Sequence, residues 1–324
     1  MTRWWSSIPS DIIDGMKEVL TQRIQQGKNF FEEYGKVICI LLALTILFSI
    51  FCTLYSLLTP QKLRISFLDV GQGDAILIQT PSGHTMLVDG GVSDVVLEKV
   101  SEKISYFTHH LDLVVATHPD ADHITGLIPI LQKYEIDHIV VSPMTSHTGV
   151  FEVLQKSIEV ESEEQAVDHH AQVHTAVVGD EIIFDDGVVA YILYPGAAFH
   201  GDQKDTNSAS VSLVVTYGSE SILLTGDLPS IHEGELLGGT LPHNVTIYKA
   251  GHHGSKFSSG EQLLSYIHPE YVVISAGKDN KYGHPNGEAL SRLKIYAKEI
   301  LSTVDRGSIT FLLDGKTVQL ETDK

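Results

Sequence analysis

Four residues within a stretch of six have side chains that can bind a metal ion or move a proton: His118, Asp120, Asp122 and His123. Imidazole nitrogen and carboxylate oxygen are both good ligands for zinc, manganese or iron. Alternate positions 118, 120 and 122 can converge on one ion, and His123 can then face a second ion beside it. A lone His-x-Asp is typical of a solvated acidic loop, but four ligand types at this spacing predict a metal site.

The flanking sequence predicts how these side chains are positioned. The apolar run at 111–116, which contains Val114 and Val115, is typical of a short buried strand. The run that begins at Ile124 predicts a helix with Asp122 near its N-cap. The ligand types therefore occupy a strand-to-helix loop at the carboxyl end of a strand, where α/β folds place their chemistry. Unpaired N–H groups at the adjoining helix N-terminus favour an anionic substrate.

Further ligand candidates follow later β-segments. Asp227, His252, His253 and His284 each come after a predicted strand. Taken singly, an Asp after Gly is usually a turn residue, and a His in a Gly-rich loop is usually just exposed. Their shared position at the ends of β-segments predicts that they join the same site. The pair at 169–170 (His-His) lies in a polar stretch without a hydrophobic frame, so we expect it on the surface.

The order of the predicted elements indicates an α/β fold. The start of the domain alternates as three short strands with tight turns, and Asp69 and Asp74 either cap the first turn or flank the metal site. Strands and helices alternate beyond it, and Asn286 is expected to cap a helix over 288–300. Lys249, just before the histidine loop, either meets a phosphate or packs its stem at a strand end.

The composition allows a substantial core and sets a condition on phosphate chemistry. The 324 residues are 43% hydrophobic and 19% charged, with a formal net charge of −19. The first 36 residues carry five basic and five acidic side chains, so the negative excess falls on residues 37–324. A strongly acidic domain is a poor non-specific binder of nucleic acid. Any phosphate chemistry here would therefore have to be driven by metal ions.

The N-terminal region predicts one membrane anchor. Residues 37–58 form an uncharged apolar run of 22 residues, which as a helix is enough to span a hydrocarbon core of about 30 Å. A buried core helix would show a polar face, and a cleaved signal peptide would not follow so long a preceding segment. Cys39 and Cys52 both lie in this run, too far apart along one helix to be bridged.

The charges beside this run predict its orientation. Five basic residues precede the anchor and only Lys62 and Arg64 follow it closely, so the positive-inside rule favours a cytoplasmic tail. We therefore expect a single-pass protein of the cell membrane. Its parts would be an amphipathic cytoplasmic tail at 1–36, the transmembrane anchor at 37–58 and an extracytoplasmic domain at 60–324.

Five motifs in order resemble the hydrolase domain of the ComEC competence (DNA-uptake) proteins, within the metallo-β-lactamase superfamily. They are FLDVGQGDA at 67–75, HPDADH at 118–123, LLTGD at 223–227, GHHGS at 251–255 and GHP at 283–285. The resemblance covers about residues 62–318. It implies an αββα sandwich, two sheets back to back with helices outside, preceded here by one N-terminal transmembrane helix, and a metal site at the sheet edges.

The resemblance also implies a ligand set for one or two divalent metal ions. Asp120 stands where the family usually has a histidine, and the position of another usual histidine falls near Asn207 or Ser210. The extra oxygen makes manganese or magnesium a candidate beside zinc. The ligands implied for the ions are His118, Asp120, Asp122, His123, Asp227 as the bridge, and His252, with His253 as the alternative late histidine.

These patterns lead us to expect a membrane-anchored, metal-dependent hydrolase, either a phosphodiesterase or a nuclease-like enzyme. Asp120 or Asp122 would orient the attacking water, and His253 and His284 would stabilise the oxyanion or protonate the leaving group. The expected partners are the membrane, nucleic acid or another phosphodiester, and a separate channel protein, because a ComEC protein carries a many-helix channel domain. The alternatives are a hydrolase of a lactam, a thioester or an envelope ester, and a non-catalytic membrane-bound subunit of a DNA-uptake or envelope assembly.

Overall fold

Two units make up the chain, Met1–Pro60 and Gln61–Lys324. The computed structural model describes residues 9–58, 61–104, 109–162, 170–196, 199 and 205–324. The first unit is one long helix, α1 (Ser10–Leu58). The predicted boundary between a tail and an anchor at residue 36 falls inside this continuous helix.

The apolar part of α1 is long enough to cross a membrane. Its segment Glu32–Leu54 has 23 residues, a mean hydropathy of 2.9 and no buried residue in its most apolar window. At about 1.5 Å per residue, a helix of this length covers the hydrocarbon core of a bilayer. Cys39 and Cys52 are free, as predicted.

The second unit holds two β-sheets. One has eight strands in the order β15-β14-β1-β2-β3-β4-β5-β6, and the other has seven in the order β13-β12-β11-β10-β9-β8-β7. The predicted meander is confirmed, since β1, β2 and β3 pair antiparallel. The strands are β1 (Leu63–Phe67), β2 (Ile76–Gln79), β3 (Thr85–Val88), β4 (His110–Ala116), β5 (Glu135–Val141), β6 (Gln172–Thr175), β7 (Glu181–Ile183), β8 (Val189–Tyr194), β9 (Ser212–Tyr217), β10 (Glu220–Leu224), β11 (Ile247–Lys249), β12 (Tyr271–Ile274), β13 (Glu299–Ser302), β14 (Ile309–Leu313) and β15 (Val318–Thr322).

Parallel strands bring the functional loops to the sheet edges. The strands from β3 to β6 run parallel in the first sheet, and those from β10 to β13 run parallel in the second. Carboxyl ends of neighbouring parallel strands share one edge of a sheet, and loops placed there can meet.

Apolar side chains hold the layers together. Ile65 and Val115 of the first sheet and Leu213 and Ile222 of the second belong to one buried cluster between the sheets. Separate buried clusters lie under the helices on the two outer faces. The structure therefore confirms the predicted αββα sandwich. The covering helices are α2 (Val95–Lys103), α4 (Leu127–Lys133) and α5 (Gly149–Ser162) on the first sheet, and α6 (Glu261–Ile267) and α7 (Gly287–Tyr296) on the second.

The helix predicted over 288–300 ends four residues early, at Tyr296. Ile300 instead lies in β13 and pairs with Val272. Apolar residues near a helix end are compatible with a helix or a strand. Here they form a strand because the edge of β12 offers unpaired backbone groups to pair with. Asn286 caps the helix as predicted, because its side chain accepts a hydrogen bond of 2.9 Å from the N–H of Glu288.

The loop after β4 also begins its helix earlier than predicted. A short helix, α3 (Ala121–Ile124), precedes α4, and its N-cap position is held by Asp120. Asp122, which the sequence predicted near the N-cap, lies two residues after it, in the first turn. The last short helix is α8 (Thr303–Arg306).

Candidate metal centre

A buried group of imidazoles and carboxylates is assembled from both sheets. His118 and His123 follow β4 of the first sheet, whereas Asp227 and His253 follow β10 and β11 of the second. One ligand atom each from Asp74, His123, Asp227 and His253 lies within 4.8 Å of the others. All of these side chains are buried. We call this group the buried cluster.

The carboxylate of Asp89 holds the ring of His123 on its Nδ1 side. Its Nδ1 lies 2.7 Å from Asp89 Oδ2, and its Nε2 lies 3.3 Å from Asp227 Oδ1 and 3.3 Å from His253 Nε2. Burial alone would lower the pKa of His123, but Asp227 and Asp89 outweigh burial and raise that pKa well above 6.5. The ring therefore presents Nε2 to the centre of the cluster.

Asp227 lies among the histidines. Its Oδ2 is 3.5 Å from His252 Nε2, 3.5 Å from His253 Nε2 and 4.0 Å from His118 Nε2. Burial would raise the pKa of Asp227, but His253 and His123 outweigh burial and hold it well below its usual range. The carboxylate is therefore ionised, and its Oδ2 lies within 4.0 Å of three imidazole nitrogens.

His118 offers an unprotonated nitrogen. Its Nδ1 lies 2.9 Å from Thr117 Oγ1. Its Nε2 is buried and has no hydrogen-bond partner among the described residues. Burial, and then the neighbouring His123, lower the pKa of His118 to about 4. A neutral imidazole with a buried free electron pair suits a cation.

His253 lies deeper than His252. The Nδ1 of His253 is 3.0 Å from the carbonyl of Ser275, and its Nε2 is 3.5 Å from Asp122 Oδ2. Burial would lower the pKa of His253, but Asp227 and Asp74 outweigh burial and raise it to about 9. The side chain of His252 is 27% exposed. The structure thus brings His253, which we had predicted as an acid, into the buried cluster and leaves His252, predicted as a ligand, at its edge.

The backbone at these histidines is unusual. His252 and His253 have φ values of 49° and 55° within a 3-10 turn, Gly251–Gly254. Positive φ is uncommon for residues other than glycine, and successive cases are typical of sites where the surrounding structure imposes the conformation.

The two loop carboxylates differ in surroundings. Asp122 Oδ2 accepts a hydrogen bond of 3.3 Å from Gln72 Nε2. Burial would raise its pKa, but hydrogen bonding to His253 and the charge of His123 outweigh burial and lower it. Asp120 Oδ1 accepts a hydrogen bond from the hydroxyl of Thr206, and burial raises the pKa of Asp120. Asp122 is therefore the stronger candidate for an ionised base.

Of the remaining predicted residues, His284 lies at the edge of the site. Its ring centroid is 5.4 Å from that of His252. Burial, and then His252, lower the pKa of His284. His170 is exposed, as predicted, and His169 lies outside the described residues.

Asn207 fits the position of the missing histidine better than Ser210. The hydroxyl of Ser210 already accepts a hydrogen bond of 3.1 Å from the N–H of Asp227. The Oδ1 of Asn207 is buried and has no hydrogen-bond partner within the described part of the chain, as is also true of His118 Nε2. Buried polar atoms are rarely left without partners. A divalent cation would satisfy these atoms, so the residues present fit a metal ion.

Lys249 is the last residue of β11 and is fully buried, which agrees with the prediction that its stem packs at a strand end. Its Nζ lies 2.8 Å from Asp74 Oδ2 and 3.0 Å from the carbonyl of Ala250. Asp74 Oδ1 lies 3.3 Å from His253 Nδ1. Burial would raise the pKa of Asp74, but Lys249 and His253 outweigh burial and lower it to about 2. Lys249 and Asp74 therefore form a buried ion pair on the Nδ1 side of His253.

Asp89 is the supporting residue that the sequence analysis missed. Besides His123, its carboxylate accepts hydrogen bonds from Thr117 N at 2.8 Å and Thr117 Oγ1 at 2.7 Å. It directly follows β3, with a φ of 58°, and precedes Gly90 and Gly91. That Asp-Gly-Gly sequence at a strand end was the available signal.

Residues 68–278 match the sequence model of the metallo-β-lactamase superfamily. This chain belongs to that superfamily. Metallo-β-lactamase superfamily proteins are generally metal-dependent hydrolases and typically bind zinc.

Curated relatives within the superfamily are competence proteins, which confirms the resemblance predicted from the motifs. ComE operon protein 3 of Bacillus subtilis is 28% identical over 285 residues, covering 82% of this chain and 35% of that protein. Recombination protein 2 of Haemophilus influenzae is 27% identical over 274 residues, covering 83% and 30%. Competence protein ComA of Neisseria gonorrhoeae is 27% identical over 254 residues, covering 78% and 32%. The chain thus spans about a third of the length of these relatives.

Proposed function

We propose that this chain is a membrane-anchored, metal-dependent hydrolase of phosphodiesters with a nuclease-like substrate. The main support is the buried cluster, in which ligand atoms of Asp74, His123, Asp227 and His253 lie within 4.8 Å of one another, together with His118 Nε2, which has no hydrogen-bond partner among the described residues. The acidic charge of the domain adds to it, because an anionic substrate would need cations to be held there. Relatives named for competence and recombination favour nucleic acid over other esters.

In this proposal each residue has a separate task. Asp227 would help to hold the ions, and Asp122, which is ionised at neutral pH, would accept the proton of the attacking water. Asp120, held by Thr206, orients that water, and neutral His284 donates a hydrogen bond to the leaving oxygen or the developing charge. A bound divalent ion supplies a water of pKa about 7 and polarises a phosphoryl oxygen. The residues that would hold one or two ions of zinc, manganese or magnesium are His118, Asp120, Asp122, His123, Asp227, His252 and His253.

In the proposed topology the hydrolase domain lies outside the cytoplasm. Residues 1–36 form a cytoplasmic tail, residues 37–58 the anchor and residues 60–324 the hydrolase domain. The apolar segment Glu32–Leu54 supports the anchor. Nucleic acid and a separate channel protein are the partners that this arrangement calls for.

Metal analysis joined to turnover tests the proposal. The full chain in detergent should bind divalent metal and hydrolyse bis-(p-nitrophenyl) phosphate or linear DNA, but not a chromogenic lactam. Asp122→Ala and His123→Ala should each reduce metal content and hydrolysis together, because each removes a ligand. The matched control is His170→Ala, an exposed histidine.

Two results would contradict the proposal. Turnover of the lactam or a thioester without turnover of phosphodiesters would favour the other hydrolase class. Full metal occupancy without turnover of any ester would favour a non-catalytic subunit.

A further inference from the structure

Two lysine–aromatic pairs stand on the loops beside the metal centre. Phe257 is 65% exposed and Tyr282 is 51% exposed. Each directly follows a lysine whose ammonium lies 5.0 Å from the ring centroid, Lys256 over Phe257 and Lys281 over Tyr282. Neither lysine has a carboxylate partner among the residues that the structure describes. Exposed aromatic rings with adjacent cations are what single-stranded nucleic acid binds, since bases stack on the rings and phosphates meet the cations.

A series of rings joins one pair to the buried cluster. Tyr282 is stacked against His284, with centroids 5.9 Å apart and planes inclined by 12°. The His284 ring is in turn 5.4 Å from the His252 ring, and His252 Nε2 is 3.5 Å from Asp227. A base on Tyr282 would therefore be separated from Asp227 by the two rings of His284 and His252.

The loop that carries Tyr282 is held in place relative to the proposed base. Asn280 Oδ1 accepts hydrogen bonds from the N–H groups of Tyr282 at 3.2 Å and His284 at 3.0 Å. Gln72 links this loop to the site, because its Oε1 accepts from Gly277 N at 3.1 Å while its Nε2 donates to Asp122 at 3.3 Å. Tyr282 is thus preorganised with respect to Asp122.

The second pair lies on an adjoining loop. Asn286 N donates a hydrogen bond of 2.9 Å to the carbonyl of Gly254, three residues before Phe257. Gly254 packs so closely on Pro285 that a Cβ would lie 2.8 Å from the proline Cβ. The segment 251–298 carries six basic and four acidic residues, Asp279 among the latter, within an otherwise acidic domain. Local charge therefore favours an anionic strand here.

We infer that Lys256-Phe257 and Lys281-Tyr282 form a stacking surface that binds single-stranded nucleic acid and leads it to the metal centre. The exposed lysines would leave the rings for phosphates while bases take their place, since exposed cation–π contacts are weaker than base stacking. A duplex keeps its bases stacked inside and would bind less well. The inference rests on the proposed function only for the choice of nucleic acid as ligand.

Binding without cleavage tests the surface. Fluorescence anisotropy measures the Kd for a labelled, mixed-sequence DNA of 16 nucleotides, which offers about one to four binding sites. The sample contains the full chain in detergent with EDTA. Tyr282→Ala and Phe257→Ala should each weaken binding by about tenfold, whereas Tyr282→Phe keeps the ring and should bind like the wild type. Lys281→Ala should reduce the slope of log K against log salt by about 0.7. Ile295→Ala is the matched control, because Ile295 is 74% exposed on α7.

The outcomes separate this inference from the proposed function. Unchanged affinity in both alanine variants, or equal dependence of duplex binding on Tyr282, would overturn the stacking surface even if phosphodiesters are hydrolysed. Loss of binding in the alanine variants with retention in Tyr282→Phe would support the surface even if the chain proves not to be a hydrolase.

Discussion

The buried pair of Lys249 and Asp74 makes a quantitative prediction. Lys249→Met keeps an unbranched apolar stem but removes the ammonium 2.8 Å from Asp74. Removing one partner of a buried pair costs about 3–5 kcal/mol, because a buried charge is left uncompensated. His253 stays 3.3 Å from Asp74 and compensates part of that charge, so we expect about 3 kcal/mol. For a unit of this size the midpoint of thermal unfolding should fall by roughly 6–12 °C.

The pH of the measurement follows from the sign of the shift. Asp74 has a folded-state pKa of about 2 against an ordinary 3.8. A lowered carboxyl pKa stabilises the fold above the unfolded value, and this contribution is lost only as the pH falls toward the folded value. Circular dichroism melts of the metal-free full chain at pH 7.5 therefore record the whole effect.

The same substitution should weaken metal binding. Lys249 holds Asp74, which in turn contacts the Nδ1 of His253. Loss of a residue that supports a ligand in this way typically costs about 10–100-fold in affinity. The control is the double variant Lys249→Met with Asp74→Asn, which removes both charges and should regain part of the stability. Strictly additive losses in the double variant, or an unchanged melt in Lys249→Met, would refute the reasoning.

Three further predictions concern the site and the topology. Asp227→Asn removes the negative charge that, in the proposed function, two ions would share. The affinity for the second ion should therefore fall, and hydrolysis should drop by about 10²-fold. Near-native turnover with unchanged metal content would count against a bridging role. His253 has a metal-free pKa of about 9, so protons compete with metal below that pH and the apparent affinity should rise by about tenfold per unit from pH 6 to 8; calorimetry in buffers of different ionisation enthalpy should detect the released proton. Protease added to intact cells should digest the chain after residue 60 and spare the tail; protection until lysis would show the reverse orientation.

The sandwich was predictable from the resemblance that the five motifs carry. The position of the loop from His118 to His123, between a strand and a helix, was predictable from local periodicity. The roles of Asp74, Asp89 and Lys249 were not predictable in the same way. Their contacts join residues far apart along the chain, and a buried ion pair has no sequence pattern of its own. Which of His252 and His253 lies in the buried cluster depends on the positive φ values of both residues. Histidine as a residue type does not predict a positive φ.

The origin of the cluster in two sheets has a consequence for the order of folding. The ligands after β4 and those after β10 and β11 belong to different sheets, so neither half of the domain can bind an ion tightly before the sheets dock. Ion binding would then come late and would stabilise a domain that its apolar core has already folded. A chelator should therefore destabilise the sheet edges that carry these residues without preventing folding. If the domain crosses the membrane before it folds, as the proposed topology requires, it must take its ion from the far side. The medium there, and not the cytoplasm that made the chain, would then decide which metal the site holds.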